Sequence, residues 1–230
     1  MLQNHDLGYR SLKNLVYDYL RDQIRSGELK PGGSINMDRT AKSLGISKTP
    51  LREALIKLET ENFVKIIPWK GVIVNTVELK DFEQCYQVIG SLERSAMLAA
   101  GPRLKEFDIR RLEILDDEMS ACLAAKDFDG YYEKNLEFHN IYLTRAQNEA
   151  LVDVIEIMKK RLYEFSRPME FIPEWEEISL AEHRKLVEFL GQGRFQDAAD
   201  YLENTIWSYA VQRPFIVRYY KFDHGPAAKG

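Results

Sequence analysis

Lys48 and Arg52 stand four residues apart, so on a helix both project from one face and can meet the edge of a DNA groove together. An arginine so placed can donate two hydrogen bonds to O6 and N7 of a guanine, and Thr49 beside it can meet a phosphate or a base edge. Further along, Lys70 precedes Gly71. That pairs a cation for a phosphate or the minor groove with a residue whose missing side chain lets backbone approach DNA. A second constellation is of another kind. Asn135 and His139 are again four apart, which puts an amide oxygen and an imidazole on one helical face, and His183 follows two helices later. Together they offer two imidazole nitrogens and one oxygen to a divalent ion such as zinc, manganese or nickel. The same histidines read equally well as hydrogen-bonded residues of a helical core with no ion.

Elements must hold these groups in place. Leu12, Leu15, Val16, Tyr19, Leu20 and Ile24 recur at helical steps and predict an amphipathic helix closed by Ser26-Gly27. The turn chemistry of Leu29 to Gly33 then reverses the chain. A second helix starts near Asn36, carries Met37, Ala41 and Leu44, and ends at Gly45. Ser47 is a natural N-cap for a third helix, from about Lys48 to Glu61, whose buried stripe is Leu51, Ala54, Leu55 and Leu58. Helix, tight glycine turn and basic helix is the helix-turn-helix order. Phe63 to Ile67 and Val72 to Val74 then read as two strands joined by Pro68-Trp69-Lys70-Gly71, a small wing.

From Leu79 onward only helical patterns follow, over 79–100, 105–126, 128–146, 148–166, 174–190 and 195–219, separated by breaks that include Pro168 to Pro173. The expected fold is mainly α: a winged helix-turn-helix DNA-binding domain over 1–76, then an all-α six-helix bundle over 77–230. Charge divides the same way. Residues 1–76 carry 12 Lys and Arg against 8 Asp and Glu, while 77–230 carry 20 against 28, so a basic head precedes an acidic body. Cys85 and Cys122 have no metal-binding or disulfide spacing and read as buried thiols. No apolar run approaches the roughly 18 residues that span a bilayer, and Met1 to Arg10 is polar and not signal-like. A cytoplasmic protein without membrane contact is expected.

Through Thr40-Ala41-Lys42-Ser43-Leu44-Gly45-Ile46-Ser47-Lys48-Thr49-Pro50-Leu51-Arg52-Glu53-Ala54-Leu55 and the wing Trp69-Lys70-Gly71-Val72, the sequence resembles the GntR family of bacterial regulators. The resemblance covers nearly the whole chain. It implies that the segment from Ser47 to Leu55 enters the major groove and that Lys48, Thr49 and Arg52 contact DNA. Relatives often carry an arginine early in the second helix where this chain has Asp38, so Arg39 becomes the candidate contact there and Asp38 would repel phosphate. From Leu79 on, through Leu92-Glu93, Phe138-His139 and Asn148, the chain is similar to the FCD-type effector domain of the FadR subfamily, which implies small-molecule sensing. Such domains commonly hold a metal with an Asp or Asn and three histidines. Thr205 stands where the third would be, leaving Asn135, His139 and His183. Relatives also often place a carboxylate-binding arginine three residues before the Leu-Glu pair, which here is Ile89. Arg94, Arg145 and Arg161 are substitutes that read equally as ion-pair partners, and Tyr131, Tyr132, Tyr142 and Trp207 either line a pocket or fill the core.

The leading expectation is a ligand-responsive regulator that binds a near-palindromic operator in double-stranded DNA as a homodimer. Two alternatives stand beside it. One is a metal-dependent enzyme built on the bundle, although HExxH, P-loop, GxSxG and strand-preceded GxGxxG motifs are all missing from the sequence. The other is an architectural DNA-binding protein without ligand.

Overall fold

Val16, Tyr17, Leu20 and Ile24 line the buried side of the first helix, α1 (Leu12–Arg25), in a computed structural model that describes residues 11–163 and 172–220. The described residues divide into two compact units, one comprising 11–78 with 157–163 and the other 79–156 with 172–220. In the first, α2 (Met37–Leu44) is capped by Asn36, whose side chain accepts from the Arg39 amide at 2.9 Å, and is stopped by Gly45 in a left-handed conformation. The recognition-helix candidate α3 (Lys48–Thr60) buries Leu51, Ala54, Leu55 and Leu58, the stripe that its spacing predicts. These residues close one core with α1, Ile35, Ala41, Phe63, Val64, Val72 and Val74.

Three strands complete this unit: β1 (Ser34–Ile35), β2 (Val64–Ile67) and β3 (Gly71–Val74), antiparallel in the order β1-β3-β2. The wing hairpin is in register from Val64 opposite Val74 to Ile67 opposite Gly71. Strand β1 is an addition to the sequence expectation. It pairs Ser34 with Ile73 and Ile35 with Val72, and two residues are too few to carry a period-two pattern.

The second unit is helical throughout its described part. It comprises α4 (Leu79–Ala100), α5 (Glu106–Ala125), α6 (Phe128–Arg145), α7 (Glu149–Tyr163, whose end from Ile157 belongs to the first unit), α8 (Pro173–Gly191), α9 (Phe195–Tyr201) and α10 (Tyr209–Tyr219). The break expected at Pro168 to Pro173 lies, as far as 171, outside the described residues. The segment expected as one helix over 195–219 is interrupted. A π-helical turn at Leu202–Ile206 lets the Trp207 amide reach back to the Leu202 carbonyl at 2.8 Å, and the chain restarts as α10 after Ser208. No glycine or proline marks the interruption at 202–206 in the sequence. The turn packs closely against α4. At Gly90 a Cβ would approach the Trp207 Cβ to 3.1 Å and the Glu203 Cα to 3.6 Å, so glycine allows the turn to lie almost on the α4 backbone. Phe82, Ile89, Met97, Leu112, Leu115, Phe138 and Leu186 are among the buried apolar residues of this unit. Cys85 is buried as expected, whereas Cys122 is only half-buried. No helix among the described residues is long and apolar enough to cross a membrane.

Candidate functional site

The first unit presents a polar outer face on a fixed inner one. Lys48, Thr49 and Arg52 are all exposed on α3, opposite its buried stripe. The helix cannot rotate to hide them, because the Tyr17 hydroxyl donates to the buried carboxylate of Glu61 just past its end, while Lys57 caps the Tyr17 ring at 3.9 Å. Lys48 is not a bare cation. Its ammonium pairs with the Asp38 carboxylate of α2, so the group expected to repel phosphate also occupies its neighbour. Arg39, the following residue, is exposed.

At the wing tip the Lys70 amide donates to the Ile67 carbonyl at 3.0 Å, closing the turn, and Lys70 and Gly71 are both exposed. Gly71 has φ of 104°, a backbone region that side-chain-bearing residues rarely enter, while a Cβ there would meet nothing within 4 Å. Conformation, and not closeness of neighbouring protein atoms, is what requires glycine at this position.

The second unit gathers its polar groups inside. Glu93 of α4 is fully buried. Its Oε2 accepts from Trp207 Nε1 at 2.8 Å and from the Tyr142 hydroxyl, and it lies 3.3 Å from His139 Nδ1. His139 Nδ1 is in turn 2.6 Å from the Tyr142 oxygen. With the Tyr142 proton given to Glu93, Nδ1 is the donor towards the Tyr142 oxygen, and in the neutral imidazole the lone pair is then on Nε2. His183 is buried nearby, its ring centroid 5.4 Å from that of His139 and 4.4 Å from that of Phe138. Asn135, one turn before His139, has a buried Oδ1 with no hydrogen-bond partner among the described residues.

The sequence-predicted trio therefore does collect in one unit, with both rings close together. Two imidazoles on one tetrahedral ion at about 2.0 Å would hold their centroids roughly 5 Å apart, so the spacing of the two rings is compatible with a shared ion. The set is short all the same. No group of three or more His, Cys, Asp or Glu able to hold a metal occurs among the described residues. Thr205 belongs to the π-helical turn, and its carbonyl accepts from Gln212 Nε2 at 3.3 Å.

A second buried carboxylate was not singled out by sequence. Glu182 of α8 accepts from Gln212 Nε2 at 3.1 Å, and Gln212 Oε1 accepts from Trp175 Nε1 at 2.7 Å. Burial pushes the Glu182 carboxyl up to about 7, with the Gln212 hydrogen bond working weakly against it. Tyr86 of α4 is pushed well above the usual phenol range by its burial and by the charges of Glu182 and Glu176. Ile89, the position of the expected arginine, is completely buried in the apolar core. The candidate substitutes Arg94 and Arg145 are taken up by other carboxylates: Arg94 Nε bonds Asp200 at 2.8 Å, and Arg145 holds Asp108 through Nη2 at 2.8 Å. Tyr131, Tyr142 and Trp207 are buried and Tyr132 is half-buried, so the first three take part in the packed core.

Comparison with known proteins places both units. Residues 12–74 match the model of the gntR family of bacterial regulatory proteins, and residues 84–206 match that of the FCD domain. The uncharacterized HTH-type transcriptional regulator YdhC of Bacillus subtilis is 28% identical over 177 residues, which is 75% of this chain and 77% of that protein. An uncharacterized HTH-type transcriptional regulator from the TAR-I ttuE-ttuC' intergenic region of Agrobacterium vitis is 31% identical over 138 residues, 57% of this chain and 78% of that one. Among solved structures, McbR/YncC of E. coli superposes with a TM-score of 0.67 at 23% identity, covering 92% of this chain and 98% of the other.

Proposed function

The chain belongs to the gntR family of bacterial regulatory proteins and carries an FCD effector domain, and on that premise we propose that it grips a near-palindromic operator as a homodimer under control of a small molecule. It is a transcriptional regulator and not an enzyme. One observation carries the proposal: Lys48, Thr49 and Arg52 are exposed together on α3 while its opposite face is locked into the core. A helix so held can enter the major groove, where Arg52 reads a guanine and Lys48 and Thr49 meet base edges or phosphates. Arg39 of α2, with Lys70 and Gly71 of the wing, extends this surface to the sugar-phosphate backbone. Two copies related by a twofold axis would read two half-sites, and an effector that favours one spacing of the heads would set operator occupancy. Such a protein works in the cytoplasm.

The helical domain supplies the sensor. A divalent ion there would be held by Nε2 of His139, a ring nitrogen of His183 and Oδ1 of Asn135, and would supply a positive centre for an oxygen-bearing effector. The Glu93 and Tyr142 contacts at Nδ1 of His139 support this reading, because they fix the ring and leave Nε2 as the donor atom. Selecting fragments bound by the protein from its source genome, with and without zinc, manganese and nickel, tests the whole proposal. Enrichment of fragments sharing a twofold-symmetric sequence supports it, and the failure of any fragment to bind at low salt contradicts it.

A further inference from the structure

Three tryptophans serve the chain in different ways. Trp207 is buried and bonded to Glu93, and Trp175 is half-buried against Phe215 and bonded to Gln212. Trp69, at the tip of the wing, has a relative exposure of 105%, the largest of any apolar side chain described. An indole is among the costliest side chains to leave in water, since burying it removes 150–250 Å² of surface. Its backbone adds to that cost. Trp69 has φ of 65°, in the left-handed region that bulky residues occupy only where the surroundings enforce it. Here the enforcement is visible: the Lys70 amide bonds the Ile67 carbonyl, and Ile67 is paired with Gly71 across the hairpin.

Its immediate setting is cationic. From Val64 to Val74 the hairpin carries Lys65 and Lys70, both exposed, and no Asp or Glu. Glu59, whose carboxylate reaches this hairpin, is bonded to the Ile66 amide at 2.7 Å. A flat apolar group held out between lysines matches a surface that is apolar in the middle and anionic at its rims. The minor groove of duplex DNA is such a surface, with sugar and base edges between two rows of phosphates.

We propose that Trp69 is a DNA-contact residue whose indole enters the minor groove from the wing tip while Lys65 and Lys70 meet the flanking phosphates. The proposal rests on the reading of the first unit as a DNA-binding head, and it adds an apolar, groove-shaped contribution that cations alone do not give. Because Trp69 makes no ion pair with phosphate, it contributes affinity without releasing a counterion. It also favours sites free of the guanine N2 amino group, which projects into the minor groove.

The full-length protein and its Trp69→Ala variant are titrated at low salt with 30-bp duplexes: A·T-rich, G·C-rich, and the G·C-rich sequence with inosine replacing guanine. The difference in tryptophan emission between the two proteins reports Trp69 alone. The expected result is a several-fold drop in acrylamide quenching of this component on adding duplex. Trp69→Ala should bind the A·T-rich duplex roughly 5- to 30-fold more weakly, with an unchanged salt slope. Inosine should raise wild-type affinity several-fold over guanine, and raise that of the variant hardly at all. Equal binding by both proteins, with Trp69 still fully quenchable on the duplex, overturns this proposal alone. Shielding of Trp69 that grows with protein concentration in the absence of DNA overturns it in favour of a contact between copies. Failure of both proteins to bind any duplex overturns the DNA-binding reading with it.

Discussion

Lys48, the first residue of α3, is ion-paired to Asp38 of the preceding helix, so the cation proposed to face DNA and an anion that would repel phosphate neutralise one another. Both side chains are mostly exposed, and the pair itself contributes little to folding. Its effect falls on binding. If α3 enters the groove as proposed, DNA must separate Lys48 from Asp38 or accommodate a neutral pair.

Asp38→Ala is therefore expected to tighten binding to a mixed-sequence duplex by roughly 3- to 10-fold at low salt. The released Lys48 displaces about one further counterion, steepening the log-log salt slope by roughly 0.9. The gain should vanish when Lys48→Ala is added. An Asp38→Ala variant with wild-type affinity and slope would show that the pair does not persist in solution.

In the helical domain, Glu93 gathers Trp207, Tyr142 and His139 around one oxygen, and Gly90 makes the approach of Trp207 possible. Tyr142→Phe removes one buried donor and should lower stability by about 1–2 kcal/mol. Glu93→Ala leaves several donors without an acceptor and should cost about 3 kcal/mol or more. Gly90→Ala should move Trp207 away from Glu93, altering its fluorescence as well as the melting temperature. Thermal unfolding of the three variants that left Tm within a degree of wild type would refute this account of the core.

Glu182 gives the protein a pH signature. Its folded pKa, about 7, lies above the ordinary 4.5, so between those values the folded state holds a proton that the unfolded state has lost. Its contribution to stability is accordingly present below pH 4.5 and lost as pH rises through 7. Glu182→Gln, which keeps a group for Gln212 to bond, should unfold a few degrees higher than wild type at pH 8 and close to it at pH 5. Parallel Tm-against-pH curves for the two proteins would contradict this.

Metal binding through His139 and His183 is expected to be weak, since the donor set is neutral and short of the third histidine. Elemental analysis after equilibration with zinc, manganese or nickel should find metal in wild type and much less in His139→Ala. Equal, near-zero content in both removes the ion from the mechanism and leaves the His139 and His183 pair as part of the core.

The reading head was legible because its signals are local. The Leu51, Ala54, Leu55 and Leu58 stripe, the Gly45 turn and the Lys70-Gly71 tip each occupy a few consecutive residues and carry their own conformational preferences. Strand β1 was not, since two residues have no period. The π-helical turn at 202–206 was equally hidden, because Gly90, against which it packs, lies more than a hundred residues earlier. Glu93 and Glu182 escaped as site residues for another reason. An acid on a helix reads as solvated surface unless its neighbours one turn away are all apolar, and only the stripe of Phe82, Tyr86, Ile89 and Met97 around Glu93 held that signal. The Asp38 and Lys48 contact joins two helices across a turn, and side-chain direction there is set by how those helices pack.

The central claim is that α3 reads DNA through Arg52. Binding of wild type and Arg52→Ala is to be measured on a genome-selected fragment and on a mixed-sequence duplex of equal length, between about 50 and 200 mM salt. Wild type should prefer the selected fragment and weaken steeply with salt on both. Arg52→Ala should lose roughly 5- to 150-fold on the selected fragment, corresponding to about 1–3 kcal/mol for one bidentate base contact, and far less on the mixed sequence. Affinity that ignores salt, or an equal loss on both duplexes, would contradict the assignment of α3 as the reading helix.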